Sequence, residues 1–241
     1  MARLLLAALL LLLPLAAPAA DFTADQRQQI EAIVRDYLRN NPEALLDALQ
    51  TAEDKIKSAS KTRASAALAS RRKEIFDDPE TPIIGNPKGD AALAEFFDYR
   101  CPYCKQVEPS LEALVGEDPK LRVVFKEFPV LGPDSLTAAK AALAARKQGK
   151  YDQIHRALMS LKGQMDDAAI FKTAASVGLD VERLKRDMEA PDIERALKAT
   201  RNLAEQLDIR GTPGFVIGDV IVPGAISLDA LKSLIAASRK K

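Results

Sequence analysis

Ten residues, Glu95-Phe96-Phe97-Asp98-Tyr99-Arg100-Cys101-Pro102-Tyr103-Cys104, constrain this chain more than any other stretch. They read as a short buried strand, a two-cysteine turn and the start of a helix. Cys101 and Cys104 are the only cysteines among the 241 residues. Two thiols at this spacing can close a small disulfide ring, supply half of a soft-metal site, or simply pack. A ring closed over two residues removes little entropy from the unfolded chain, because stabilisation grows with loop length. Stapling is therefore a poor use of the pair, and chemistry is the better one.

The charge is nearly balanced, with 35 Lys and Arg against 34 Asp and Glu, which argues against a nucleic-acid surface. Tryptophan is absent and aromatics are few, so a carbohydrate-binding or base-stacking platform is not expected. Residues 1–20 have the pattern of a signal peptide: Arg3, an apolar run from Leu4 to Leu13, then Ala17-Pro18-Ala19. The run is shorter than the roughly 20 residues that span a bilayer. Cleavage after Ala19 or Ala20 would leave an exported, soluble, periplasmic protein. An oxidising compartment permits disulfides, but one close pair in a chain of this size is not a disulfide-stapled scaffold.

Thr23-Ala24-Asp25-Gln26 is a capping box, and Ile30, Ile33, Val34, Tyr37 and Leu38 follow at helical spacing. Asn41-Pro42 ends this helix and opens another. From Pro42 to Phe76 no glycine or proline intervenes, which predicts a helix about 50 Å long if unbroken. Leu45, Leu49, Ala52, Ile56 and Ala59 form a coiled-coil seam that continues into Arg63, Ala66, Ser70 and Lys73. The expectation is an oligomerisation segment over 21–59 and a polar helical linker over 60–80. Such a helix pair cannot bury its apolar face alone, so a homo-oligomer is expected, and the seam is compatible with dimers as well as trimers.

From residue 81 the pattern changes. Ile83-Ile84-Gly85-Asn86, Ala91 to Tyr99 and Leu121 to Phe128 read as strands, with a helix after Cys101. Strand, helix, strand implies a parallel pair with a right-handed crossover. A helical stretch over about 134–207 is interrupted at Gly149, Gly163, Gly178 and Pro191. Then Gly211-Thr212-Pro213-Gly214 leads to a hairpin turning at Gly218-Asp219, and Ser227 caps a last helix. The expected fold class is α/β: a thioredoxin-like sheet over 81–241 with an inserted helical domain, plus the N-terminal α-helical segment.

These features resemble the DsbA-like branch of the thioredoxin superfamily. The resemblance rests on Glu95-Phe96-Phe97, Cys101-Pro102-Tyr103-Cys104, the helical insert, and Thr212-Pro213 before a hairpin. The N-terminal segment is similar to that of ScsC-type exported isomerase-like proteins, whose helical N-termini make trimers. The resemblance implies a cis bond at Thr212-Pro213 beside the sulfurs, where a strand edge could pair with an extended client. It also places Glu95 and Lys126 as a buried charged pair beneath the disulfide, passing protons or tuning Cys104.

Cys101, at the N-terminus of a helix, meets free N–H groups and a dipole that favour its thiolate. It is the attacking sulfur, and Cys104, one turn in, resolves the mixed disulfide. Tyr103 adds no positive charge beside Cys101, so the pair is expected to be less oxidising than in DsbA itself. Thr212 is similar to the residue found in disulfide isomerases more than to the Val of DsbA. His155, the only histidine, reads as a surface or packing residue. Two cysteines and one distant histidine do not make a zinc site, but two thiolates suffice for copper(I). The expected activity is that of a disulfide isomerase or reductase with no resident cofactor. Misbridged clients and a membrane thiol reductase as electron donor are its expected partners, with no nucleic acid. A DsbA-like dithiol oxidase and a copper(I)-binding or holdase protein are the alternatives.

Overall fold

The computed structural model describes residues 22–240, so the signal-peptide pattern over 1–20 lies outside the described residues. Two compact units divide between Ile56 and Lys57. In the first, helix α1 (Ala24–Asn40) begins with the expected capping box. Thr23 Oγ1 accepts from Gln26 N at 3.2 Å, and Gln26 Oε1 accepts from Thr23 N at 2.9 Å. Asn41 closes α1 by donating its N–H to Tyr37 O, and Pro42 opens α2 (Pro42–Ser70). Ile30, Ile33, Val34, Tyr37, Leu45, Leu49 and Ile56 are all exposed, with Ile33 at 68% and Ile56 at 65%.

The second unit is built on a five-stranded sheet of β1 (Ile83–Gly85), β2 (Ala91–Phe97), β3 (Leu121–Glu127), β4 (Gly214–Ile217) and β5 (Val220–Pro223). Its order is β1-β3-β2-β4-β5, with β2 central. β2 and β3 run parallel, joined through α4 (Pro102–Glu117), and the other pairs are antiparallel. The insert consists of α5 (Pro133–Ala145), α6 (Tyr151–Ser160), α7 (Asp167–Ser176), α8 (Val181–Met188) and α9 (Pro191–Gln206). Its breaks fall where glycine and proline predict them. Gly149, Gly163 and Gly178 all take positive φ, and Pro191 is the first residue of α9. Ser227 caps α10 (Leu228–Ser238).

The pleat sorts side chains onto two faces. Leu93, Phe97, Val123, Phe125 and Phe215 pack with α4, α10 and most of the insert. Ala94, Phe96, Val124 and Val216 pack on the other face with Ala67, Leu68, Ile75, Phe76 and Leu203. This second cluster corrects the reading of residues 60–80 as a polar linker. Ser60, Ala64, Ala67 and Leu68 are buried, a helical stripe one position away from the seam that turns polar at Arg63 and Ser70. The predicted unbroken helix also ends early, at Ser70, and a short α3 (Arg72–Phe76) follows. That break lets Ile75 and Phe76 enter the core, where burial of each contributes about 1.5–3 kcal/mol. Among the described residues no helix is long and apolar enough to cross a membrane.

Candidate active site

Strand β2 ends at Phe97, and three residues later the chain turns into α4 with Cys101 as its N-cap. Pro102 fills the first helical position, where its missing N–H costs nothing. The Cys101 Sγ accepts the N–H of Cys104 at 3.4 Å and donates to Thr212 O at 3.2 Å. Both thiols are free and buried. Pro102 and Tyr103 between them are exposed. The Thr212–Pro213 peptide is cis, and Pro213 O accepts from Gly224 N at 2.8 Å, tying this loop to the end of β5. The two stretches singled out by sequence, 111 residues apart, thus meet at one sulfur.

Glu95 lies fully buried on the α4 face of the sheet, and neither carboxyl oxygen has a hydrogen-bond partner. Burial pushes its carboxyl well above the usual range, and Glu108, Cys101 and Glu127 add to the effect. Burial likewise raises the Cys104 thiol, reinforced by Glu95. A neutral carboxyl beside a sulfur that resists ionisation can hand a proton over as that sulfur becomes a leaving group.

Lys126 does not join this arrangement, which corrects the expected Glu95–Lys126 pair. Register places Glu95 opposite Phe125 and Phe96 opposite Lys126, so the two side chains leave opposite faces of the sheet. Lys126 Nζ instead donates to Glu74 O at 2.7 Å and Thr81 Oγ1 at 2.8 Å, with Asp78 at 4.0 Å. It fastens the segment that leads from α3 to β1. Burial lowers its ammonium to about 8, against the pull of Asp78 and Glu74.

The acid that does share the Glu95 face is the next residue, Glu127, which the sequence reading passed over. Its Oε1 accepts from Tyr99 OH at 2.9 Å and Tyr151 OH at 2.8 Å. Burial raises it to about 8, although both tyrosine hydrogen bonds favour the anion. His155 is a packing residue, as expected, but one inside a polar network. Its ring stacks on Tyr151 and lies 4.2 Å from Phe125 between centroids, and Nδ1 is 3.0 Å from Tyr99 OH. A pleat count from Glu95 across the parallel pair is the one sequence signal that points to Glu127. Nothing local points to Tyr99, Tyr151 and His155 as its neighbours.

The raised Glu127 carboxyl has a consequence for stability. A group that binds its proton more tightly when folded stabilises fully below the unfolded value, near 4.3, and that contribution is lost as pH rises through about 8. Stability should fall across that window by a few kcal/mol. Urea midpoints measured from pH 5 to 8 should show the decline, and Glu127→Gln should make it shallower, leaving the part of the same sign that Glu95 contributes. An unchanged slope in that variant would assign the decline elsewhere. Lys126 acts only above its lowered value and with the opposite sign.

A helix-terminal dithiol in contact with a cis-proline loop at one end of a five-stranded sheet defines a thioredoxin-fold dithiol protein. The chain belongs to the DSBA-like thioredoxin family, whose domain matches residues 92–236. Residues 26–59 match the copper resistance protein ScsC N-terminal domain. A thioredoxin-like oxidoreductase from Silicibacter pomeroyi is 44% identical, covering 70% of this chain and 98% of its own, with a TM-score of 0.70. A linker-deletion mutant of ScsC from Proteus mirabilis is 32% identical over 91% of this chain and 98% of its own, with a TM-score of 0.69. A probable disulfide bond formation protein D from Bacillus cereus is 26% identical over 70% of this chain and 83% of its own. The chain also matches Na(+)/H(+) antiporters, of whose length it spans about a quarter. The DsbA and ScsC families are periplasmic thiol–disulfide oxidoreductases that act with client proteins and redox partners.

Proposed function

We propose that this chain is an exported thiol–disulfide oxidoreductase that rearranges or reduces wrong disulfides in client proteins. The observation that carries the reading is the Cys101 sulfur at the Thr212–Pro213 loop with Cys104 fully buried behind it. Cys101 thiolate attacks a client disulfide, one client sulfur bonds to Cys101, and the other leaves as a thiolate. The freed thiolate can attack another client disulfide, and the client thiolate released there attacks the client sulfur bonded to Cys101, returning the Cys101 thiolate: isomerisation without net redox change. Otherwise Cys104 attacks Cys101, releasing reduced client and closing the Cys101–Cys104 ring. A membrane thiol reductase would reopen that ring. Beside the loop lies a groove of about 900 Å³, with Leu68, Ile209, Pro213 and Ile221 among its lining. Its apolar lining suits an extended segment of a partly unfolded client.

Tyr103 and Thr212 favour rearrangement over oxidation, and so does the exposed face of Ile33, Tyr37, Leu45, Leu49 and Ile56. That face supports self-association, a trimer before a dimer, through a segment resembling the ScsC N-terminal domain. Several active sites around one space raise the effective concentration for repeated capture of one client. Export rests on the pattern of residues 3–20.

Refolding of scrambled ribonuclease tests the proposal, with mass in solution measured in parallel. The exported form should be oligomeric and isomerise. A variant lacking residues 22–56 should become monomeric and lose isomerase activity by on the order of tenfold or more. Oxidation of reduced ribonuclease without reshuffling would favour the oxidase alternative. Tight copper(I) binding without exchange would favour the metal-handling one.

A further inference from the structure

The groove beside the Thr212–Pro213 loop has a wall that the exchange chemistry leaves unused. It is the later half of α2, where Lys57, Lys61, Ala64 and Leu68 line the groove, while β5 and the 207–213 loop supply most of the rest. Positions 57, 61, 64 and 68 repeat at helical spacing and share one face of the helix. Ala64 and Leu68 are buried, whereas Lys57 and Lys61 are exposed. The floor of the groove is therefore apolar, and its rim along α2 is cationic.

The direction of α2 decides which end of the groove that charge occupies. Arg72, just past the end of α2, donates from Nη1 to Gly218 O at 3.3 Å, at the turn of the β4–β5 hairpin. That turn is the end of the hairpin away from Pro213, because Gly214 opens β4 opposite Pro223, the last residue of β5. Going back along α2, Ser60 and Arg63 line a common cavity with Asp208, Ile209 and Arg210. The lysines thus sit at the end where the 208–213 loop meets Cys101 Sγ through Thr212 O.

The charges around the groove do not cancel. Asp208 is held by Arg210 at 2.6 Å, and Asp219, at the far end, by Arg72 at 3.5 Å. Lys57 and Lys61 have no ion-pair or hydrogen-bond partner among the described residues. They stand at i and i+4, where like charges repel, and an anion lying across both relieves that repulsion. Among the described residues β5 pairs with β4 alone, so its outer edge can take an extended segment.

We infer that the groove selects extended, apolar client segments that carry acidic side chains close to the attacked cysteine, with Lys57 and Lys61 as the specificity-determining residues. This deepens the exchange reading and rests on it. The apolar side chains of such a segment lie over Leu68, Ile209 and Ile221, and its carboxylates meet the two ammonium groups. The covalent step is the one already given: Cys101 thiolate bonds to the client sulfur, and the second client sulfur leaves with the electron pair of the broken S–S bond.

Two short apolar peptides test the inference, each a disulfide-linked dimer with one cysteine per strand. One carries two glutamates beside the cysteine, and the other carries two lysines at the same positions. Single-turnover reduction by the dithiol form of the full chain gives a half-saturating concentration and a limiting rate for each. Reaction of both peptides with dithiothreitol corrects for their intrinsic reactivity. The glutamate peptide should half-saturate at a concentration about tenfold lower, with a similar corrected limiting rate. The preference should shrink at about 1 M salt. Replacing both lysines, Lys57→Glu with Lys61→Glu, should invert it, and Lys57→Gln with Lys61→Gln should abolish it. Equal half-saturation by the two peptides, or a preference that survives both double variants, would overturn the inference alone. So would loss of the oligomer, by mass in solution, in the folded charge-reversed protein, because a second copy of the chain would then be the occupant. Reduction of neither peptide by the unmutated protein would overturn the exchange reading as well.

Discussion

Cys104→Ala should leave a protein that captures clients and cannot let them go by ring closure. Cys104 is fully buried one turn into α4, and its N–H bonds to Cys101 Sγ. It is placed to attack the Cys101 sulfur once a client is bound there, and no other thiol in the chain can substitute. Without it, mixed disulfides through Cys101 should accumulate, and turnover in client reduction should fall about a thousandfold. Loss of one buried sulfur costs the fold on the order of 1 kcal/mol, so the protein remains testable. Acid-quenched samples on non-reducing gels measure the adducts. Cys101→Ala should trap nothing, and adducts in that variant would assign capture to the wrong sulfur.

Glu95→Leu should move stability and activity in opposite directions. The carboxyl is buried, unpartnered and held neutral by its surroundings. An unsatisfied buried polar group costs about 1–3 kcal/mol, and leucine fills a similar volume without that cost. Unfolding in urea should therefore show a gain of about 2 kcal/mol. Exchange should slow about a hundredfold, because Cys104 loses its proton donor. A destabilised variant, or one with normal kinetics, would show that Glu95 serves packing and not proton transfer.

The parts of this protein that could be read from sequence are those whose physics is local. Thr23 with Gln26 forms its capping box, the glycines of the insert take left-handed turns, and Gly218-Asp219 turns a hairpin. Cys101 and Thr212-Pro213 were legible because each stands at a strand boundary that sequence marks. What escaped depends on register and face. Lys126 and Glu127 are neighbours in one strand, yet only Glu127 lies on the side of Glu95, and the pairing that decides this is between strands. Ala67 and Leu68 lie among small and polar residues of α2, so their burial in one cluster with Phe96 and Val216 leaves no strong periodicity. The Tyr99–His155–Glu108 chain draws on three segments spread over 57 residues, from position 99 to 155, and no one of them announces the others.

Equilibration against glutathione redox buffers, quenched with acid and weighed by mass spectrometry, bears most directly on the central claim. The account predicts one cooperative two-electron transition. The Cys101–Cys104 ring should open with a gain of two hydrogens, and transient glutathione adducts should map to Cys101 alone. Stable adducts on Cys104, or two thiols that never close into a ring at any poise, would contradict it.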